Sequence, residues 1–169
     1  MIKMTTELFN KFATKQEELD RMIRTKFNFS DDDWDFDLDT KHQIALKVEV
    51  AEFINNCYDL WKYWKQKAVN PDLILGEAVD VIHFIHLILN KRQLSAEAHI
   101  AHIIVERVRY ASRMSYADIL DDMLNSSDVY EIYAGLLLIL DHYSFTLEDI
   151  EQAYDRKNAE NHARQERNY

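Results

Sequence analysis

Two glycines, one proline and one cysteine are all that 169 residues hold of the types that punctuate or cross-link a chain. An all-β sandwich needs turn residues at every corner, so this scarcity effectively excludes one. The lone Cys57 rules out a disulfide framework and a cysteine-based zinc site. Basic residues are in deficit as well: Lys and Arg number 20 against 30 Asp and Glu, a net charge of −10 with histidine neutral. A surface that acidic repels phosphate backbones and argues against a general nucleic-acid binder, but not against a single nucleotide held through a divalent metal. With no signal peptide and no long uncharged apolar run, the expectation is a soluble, cytoplasmic protein without a membrane span. Apolar residues, by contrast, make up 47% of the chain, enough to build the core of one domain over residues 1–169.

Helical spacing recurs throughout. Leu8, Phe9, Phe12, Leu19, Met22 and Ile23 form one apolar stripe of a helix from about Thr6 to Phe27. Six aspartates between Asp31 and Asp39 follow, without the turn glycine or closing glutamate of an EF-hand, and read as a solvated loop pinned by Trp34 and Phe36. Thr40-x-x-Gln43 has capping-box spacing and opens a second helix to about Lys67. Asn70-Pro71 sets an N-cap before a proline at the first helical position, so a third helix runs from Pro71 to about Arg92. Ser95 caps a fourth, to about Met114, and Ser115-x-x-Asp118 starts a short fifth segment. Ser127 opens the apolar run ending in Leu136 to Leu140, too short to cross a bilayer and read as core or dimer interface. Thr146-x-x-Asp149 opens a last helix that turns polar beyond Tyr154. The expected class is all-α, a bundle of about six helices.

The third helix is apolar on nearly every side, as a core helix is, yet it carries Glu77 and Asp80 at i, i+3. A carboxylate in a core must be paired, protonated or bound to a metal. The second helix repeats the spacing with Glu49 and Glu52, and the proline turn between makes a helical hairpin that can face the two pairs toward each other. Glu49 and Glu52 alone suit a solvated face meeting a lysine equally well, but the helix of Glu77 and Asp80 has few basic partners. Both pairs together favour a site for magnesium or manganese, which take hard oxygen donors. A di-iron centre wants Glu-x-x-His on two helices, and no such motif occurs. His86 and the pair His99-x-x-His102, with no third ligand at hand, read as structural.

The paired Glu-x-x-Glu and Glu-x-x-Asp resemble the all-α nucleoside triphosphate pyrophosphatases, the superfamily of MazG proteins and dimeric dUTPases. Further segments are similar to those of the dimeric dUTPase family: Gln16-x-x-Leu19-Asp20, Glu49 to Asn55 followed by Lys62-Tyr63-Trp64, Glu77 to Phe84, and the tail from Lys157 to Tyr169. Asn56 stands where a further Glu often follows, and Asn168 where a Gly usually precedes the terminal Tyr. The resemblance implies a homodimer that hydrolyses dUTP to dUMP and pyrophosphate with magnesium. It assigns Glu49, Glu52, Glu77 and Asp80 to the metal, with Glu49 or Glu52 activating water. Lys62, Lys157 and Arg164 would cover phosphate oxygens. Gln16, Asn55, Trp64 and His83 would form the base pocket, and Asn161 and Tyr169 belong to the C-terminal nucleotide-binding segment. Gln16, an amide able to flip, could suit uracil or cytosine, so dCTP or another nucleotide is the alternative substrate. Residues 93–150 match only as generic helices, and a helical protein that binds a regulator through them is the alternative of another class.

Overall fold

The computed structural model describes residues 1–112 and 115–167, and its regular structure is entirely helical. Seven α-helices occur among the described residues: α1 (Thr6–Phe27), α2 (Asp39–Asn56), α3 (Pro71–Asn90), α4 (Ala96–Tyr110), α5 (Tyr116–Asn125), α6 (Val129–His142) and α7 (Leu147–Glu166). A π-helical turn, Asp33–Asp37, precedes α2, and a 3₁₀ turn, Tyr58–Leu60, follows it.

Most boundaries obey local capping chemistry. Asn70 accepts from the Asp72 N–H ahead of α3, and Ser95 from the Ala98 N–H ahead of α4. Ser115 with Asp118, and Thr146 with Asp149, form reciprocal capping boxes at α5 and α7. The segment begun by Ser115 is thus a helix in its own right, which raises the count from about six to seven.

Helix α4 ends at Tyr110, and Met114, its expected end, lies outside the described residues. Three other boundaries differ from expectation. The Thr40 capping box does not form, because the chain is already helical when it arrives there. Ser30 and Asp33 cap each other, with Asp33 Oδ2 accepting from the Ser30 N–H at 2.7 Å and Ser30 Oγ from the Asp33 N–H at 3.1 Å. The aspartate segment therefore winds through the π turn into α2, pinned by buried Trp34 while Phe36 stays exposed. The second helix stops at Asn56 and not near Lys67, since Trp61 Nε1 donates to the Ile54 carbonyl at 2.9 Å and Tyr58 OH to the Ala68 carbonyl at 2.7 Å. These bonds fold the following segment back on the helix end. Asp128, and not Ser127, caps α6, its side chain accepting from the Tyr130 N–H.

Helix α3 lies in the core with 12 of its 20 residues buried, and α6 with ten of its 14. Leu136, Leu137, Ile139 and Leu140 are fully buried, so that run is core. Helices α1, α2 and α7 pack on α3, as does α6, which also carries α4 and α5. The α2–α3 hairpin with α1 and α7 frames one side of the molecule, and the site lies there.

Candidate active site

Burial of Val50, Phe53 and Ile54 orients α2 so that Glu49 and Glu52 turn toward α3. Carboxylate oxygens of Glu49, Glu52 and Glu77 lie within 4.8 Å of one another. Asp80, one turn further along α3, meets α7: its Oδ2 accepts from Lys157 Nζ at 2.6 Å. Burial, reinforced by Asp80, Glu52 and Glu77, pushes the Glu49 carboxyl up to about 7. Glu77 is also raised, by burial and then by Asp80 and Glu52. Asp80 is raised too, because burial outweighs its bond to Lys157. Burial works to lower the Lys157 pKa, but the bond and charge of Asp80 carry it above its ordinary value. The cluster is therefore short of positive charge.

These groups line a cavity of about 420 Å³ together with Gln16, Leu19, Asp20 and Ile23 of α1, His83, Phe84 and Leu87 of α3, and Asn161, Arg164 and Gln165 of α7. Arg164 pairs with Glu160 at 2.5 Å, one turn back on α7. A buried polar chain closes the α1 side. Gln16 Nε2 donates to Asp20 Oδ1 at 2.7 Å, and Gln16 Oε1 lies 2.7 Å from His83 Nδ1. An amide oxygen accepts, so Nδ1 carries the proton and His83 Nε2 is left as an acceptor. Burial first, then Lys157 and His162, depresses the His83 pKa to about 3, and the ring is neutral. It stacks on Tyr154, whose hydroxyl donates to the Phe12 carbonyl at 3.1 Å. Neither His83 Nε2 nor Asp20 Oδ2 has a hydrogen-bond partner, although both are buried.

Of the residues singled out from sequence, Gln16, Glu49, Glu52, Glu77, Asp80, His83, Lys157, Asn161 and Arg164 meet at this cavity. Asn55, Lys62 and Trp64 do not line it. Lys62 Nζ donates to Asn55 Oδ1 at 2.8 Å on the surface, and Trp64, 63% exposed, packs edge-on against Trp61 and Tyr63. Tyr169 lies outside the described residues. His86 and His99 are structural, bonded to the hydroxyls of Tyr133 and Tyr130.

Asp20, Phe84 and Gln165, which lie in the matched segments but were given no role of their own, join the lining. For Asp20 a signal existed. Phe12, Gln16 and Asp20 follow one another at four-residue steps, so two polar residues prolong the buried stripe of α1.

Hydrolysis of a phosphoanhydride needs this combination: acids that hold a cation and a water, cations for phosphate oxygens, and a partly apolar recess for the rest of a nucleotide. A sequence model of the dUTPase family matches residues 8–169, which takes in every residue lining the cavity. None of the curated proteins matches the chain.

Proposed function

Since the chain belongs to the all-α dimeric dUTPase family and hydrolyses dUTP, we propose that the reaction takes place in the cavity between α1, α2, α3 and α7. The convergence of Glu49, Glu52 and Glu77 within 4.8 Å carries this reading. An all-oxygen donor set in which burial and mutual repulsion raise Glu49 to about 7 fits a hard divalent cation, which relieves that repulsion. Glu49, Glu52, Glu77 and Asp80 are the residues to hold it, magnesium in preference to manganese. When bound, the ion supplies charge neutralisation and Lewis acidity toward the triphosphate.

The chain's own groups do the rest. Glu49 or Glu52 orients the attacking water and accepts its proton at a carboxylate oxygen. Lys157 and Arg164 donate N–H groups to phosphate oxygens as charge shifts onto the leaving pyrophosphate. Asn161 contacts the nucleotide from the same face of α7. Gln16 and His83 bound the base recess. By the family resemblance alone, Asn55, Lys62, Trp64 and Tyr169 are further nucleotide-binding residues. We assign residues 1–169 to one catalytic domain, active as a cytoplasmic homodimer. No helix among the described residues is long and apolar enough to cross a membrane.

Glu49→Gln tests the reading, since it keeps the shape and removes both the charge and the proton acceptor. Turnover of dUTP is expected to fall by about 100-fold or more, while EDTA abolishes and magnesium restores wild-type turnover. An E49Q enzyme within a few-fold of wild type removes the reaction from this cavity.

A further inference from the structure

A groove of about 940 Å³ lies away from the catalytic cavity, where α4, α5 and α6 meet the N-terminal residues. Its walls are mainly aliphatic, with Met4, Ile100, Ile103, Ile119, Leu137 and Leu138 among them. Three of the charged groups on it, the N-terminal ammonium, Arg107 and Asp141, are engaged within the chain. Asp141 takes the N-terminal ammonium at 3.2 Å and the Ile2 N–H at 2.9 Å, and Arg107 donates to the Ile2 carbonyl. Along the groove α4 raises a ridge of Ala101, Ile104, Val105 and Val108, spaced i, i+3, i+4, i+7. Ile104, Val105 and Val108 are 56%, 57% and 69% exposed. That spacing is the one by which a helix buries a face, yet the described residues leave this face uncovered.

We propose that this face is where two copies of the chain meet, with α4 packed antiparallel on its mate about a two-fold axis near Ile103. The proposal rests on the homodimer stated above and names its surface. Charge selects a second copy as the occupant. Helix α4 carries Glu97 in its first turn and Arg109 in its last. An antiparallel pair centred on Ile103 sets Glu97 of each copy opposite Arg109 of the other, Ala101 opposite Val105, and His102 opposite Ile104. Arg109 keeps its bond to Glu106 at 2.6 Å, and its five N–H donors let it serve both acids. The chain bears a net −10, so two copies repel over most of their surface. Helix α4 is balanced, with Glu97 and Glu106 against Arg107 and Arg109. A ridge beside a groove on one face is also the self-complementary shape a two-fold contact requires.

Sedimentation equilibrium on the full-length chain tests this. The wild type is expected at twice 20.1 kDa. The doubly substituted Val105→Asp, Val108→Asp chain is expected at the single-chain mass with an unchanged far-ultraviolet spectrum. Glu97→Arg is expected to weaken the dimer by about tenfold or more through like-charge contact, and adding Arg109→Glu to restore it. The charge swap decides the matter should the aspartate variant fail to fold. A monomeric wild type overturns the homodimer and this surface together. A dimeric wild type that is indifferent to both sets of changes overturns the surface and leaves the homodimer standing.

Discussion

Asp20 is buried beside a site crowded with other acids, and its carboxyl is pushed up to about 7 by burial, against the opposing bond from Gln16. Its value lies in what it does to that amide. Gln16 donates to Asp20 and accepts from His83, so a flipped amide would set oxygen against carboxylate and N–H against N–H. The amide that could suit either base is thus held in one orientation. The unpartnered acceptors beside it, His83 Nε2 and, while Asp20 is ionised, Asp20 Oδ2, suit a base edge with an N–H, as uracil has at N3, where cytosine has a lone pair. Asp20→Asn lets the neighbouring group donate as well as accept, and the lock is lost. The dUTP over dCTP ratio of kcat/KM is expected to fall by about tenfold or more. An equal loss on both nucleotides would reduce Asp20 to a packing role.

At the scale of elements, helix starts were legible where the reason for them is local. Asn70, Ser95, Ser115 and Thr146 each cap within three residues, so the pattern and the bond coincide. The true end of α2 was not legible, because nothing in residues 57–67 breaks a helix; hydrogen bonds from Tyr58 and Trp61 across a folded-back segment end it. The packing of α5 on α6 also turns on one residue. A Cβ on Gly135 would stand 2.6 Å from Cγ and 2.7 Å from Sδ of Met123, a side chain itself buried. Gly135→Ala is accordingly expected to cost about 1–3 kcal/mol of stability, despite the better helix propensity of alanine. Urea denaturation measures it, and an unchanged or higher midpoint would show that the α5–α6 contact gives way freely.

Across the whole molecule, buried histidines contribute to the response to acid. Burial, the first cause in each, lowers His42 to about 4 and both His83 and His86 to about 3. The unfolded chain takes up protons near 6.5 while the native one does not. Their contribution is therefore complete above 6.5 and is lost as pH falls toward the folded values. Asp20 runs the opposite way: raised in the native state, it contributes below its ordinary value and loses that as pH rises through about 7. His86→Phe isolates one histidine in a site walled by Phe9, Phe12 and Tyr133. Between pH 7 and pH 5 the wild type is expected to lose about 2 kcal/mol more than the variant, and equal slopes would show His86 protonating freely. The sequence by itself determined the all-α class, most helix starts, and the two carboxylate pairs at i, i+3, because spacing along one helix is enough for each. Only the tertiary structure decided that Lys157 pairs with Asp80, that Asp20 lies buried against Gln16, and that Asn55, Lys62 and Trp64 stand outside the cavity. Periodicity says which face of a helix is buried, but not which face of a helix 77 residues along the chain will meet it.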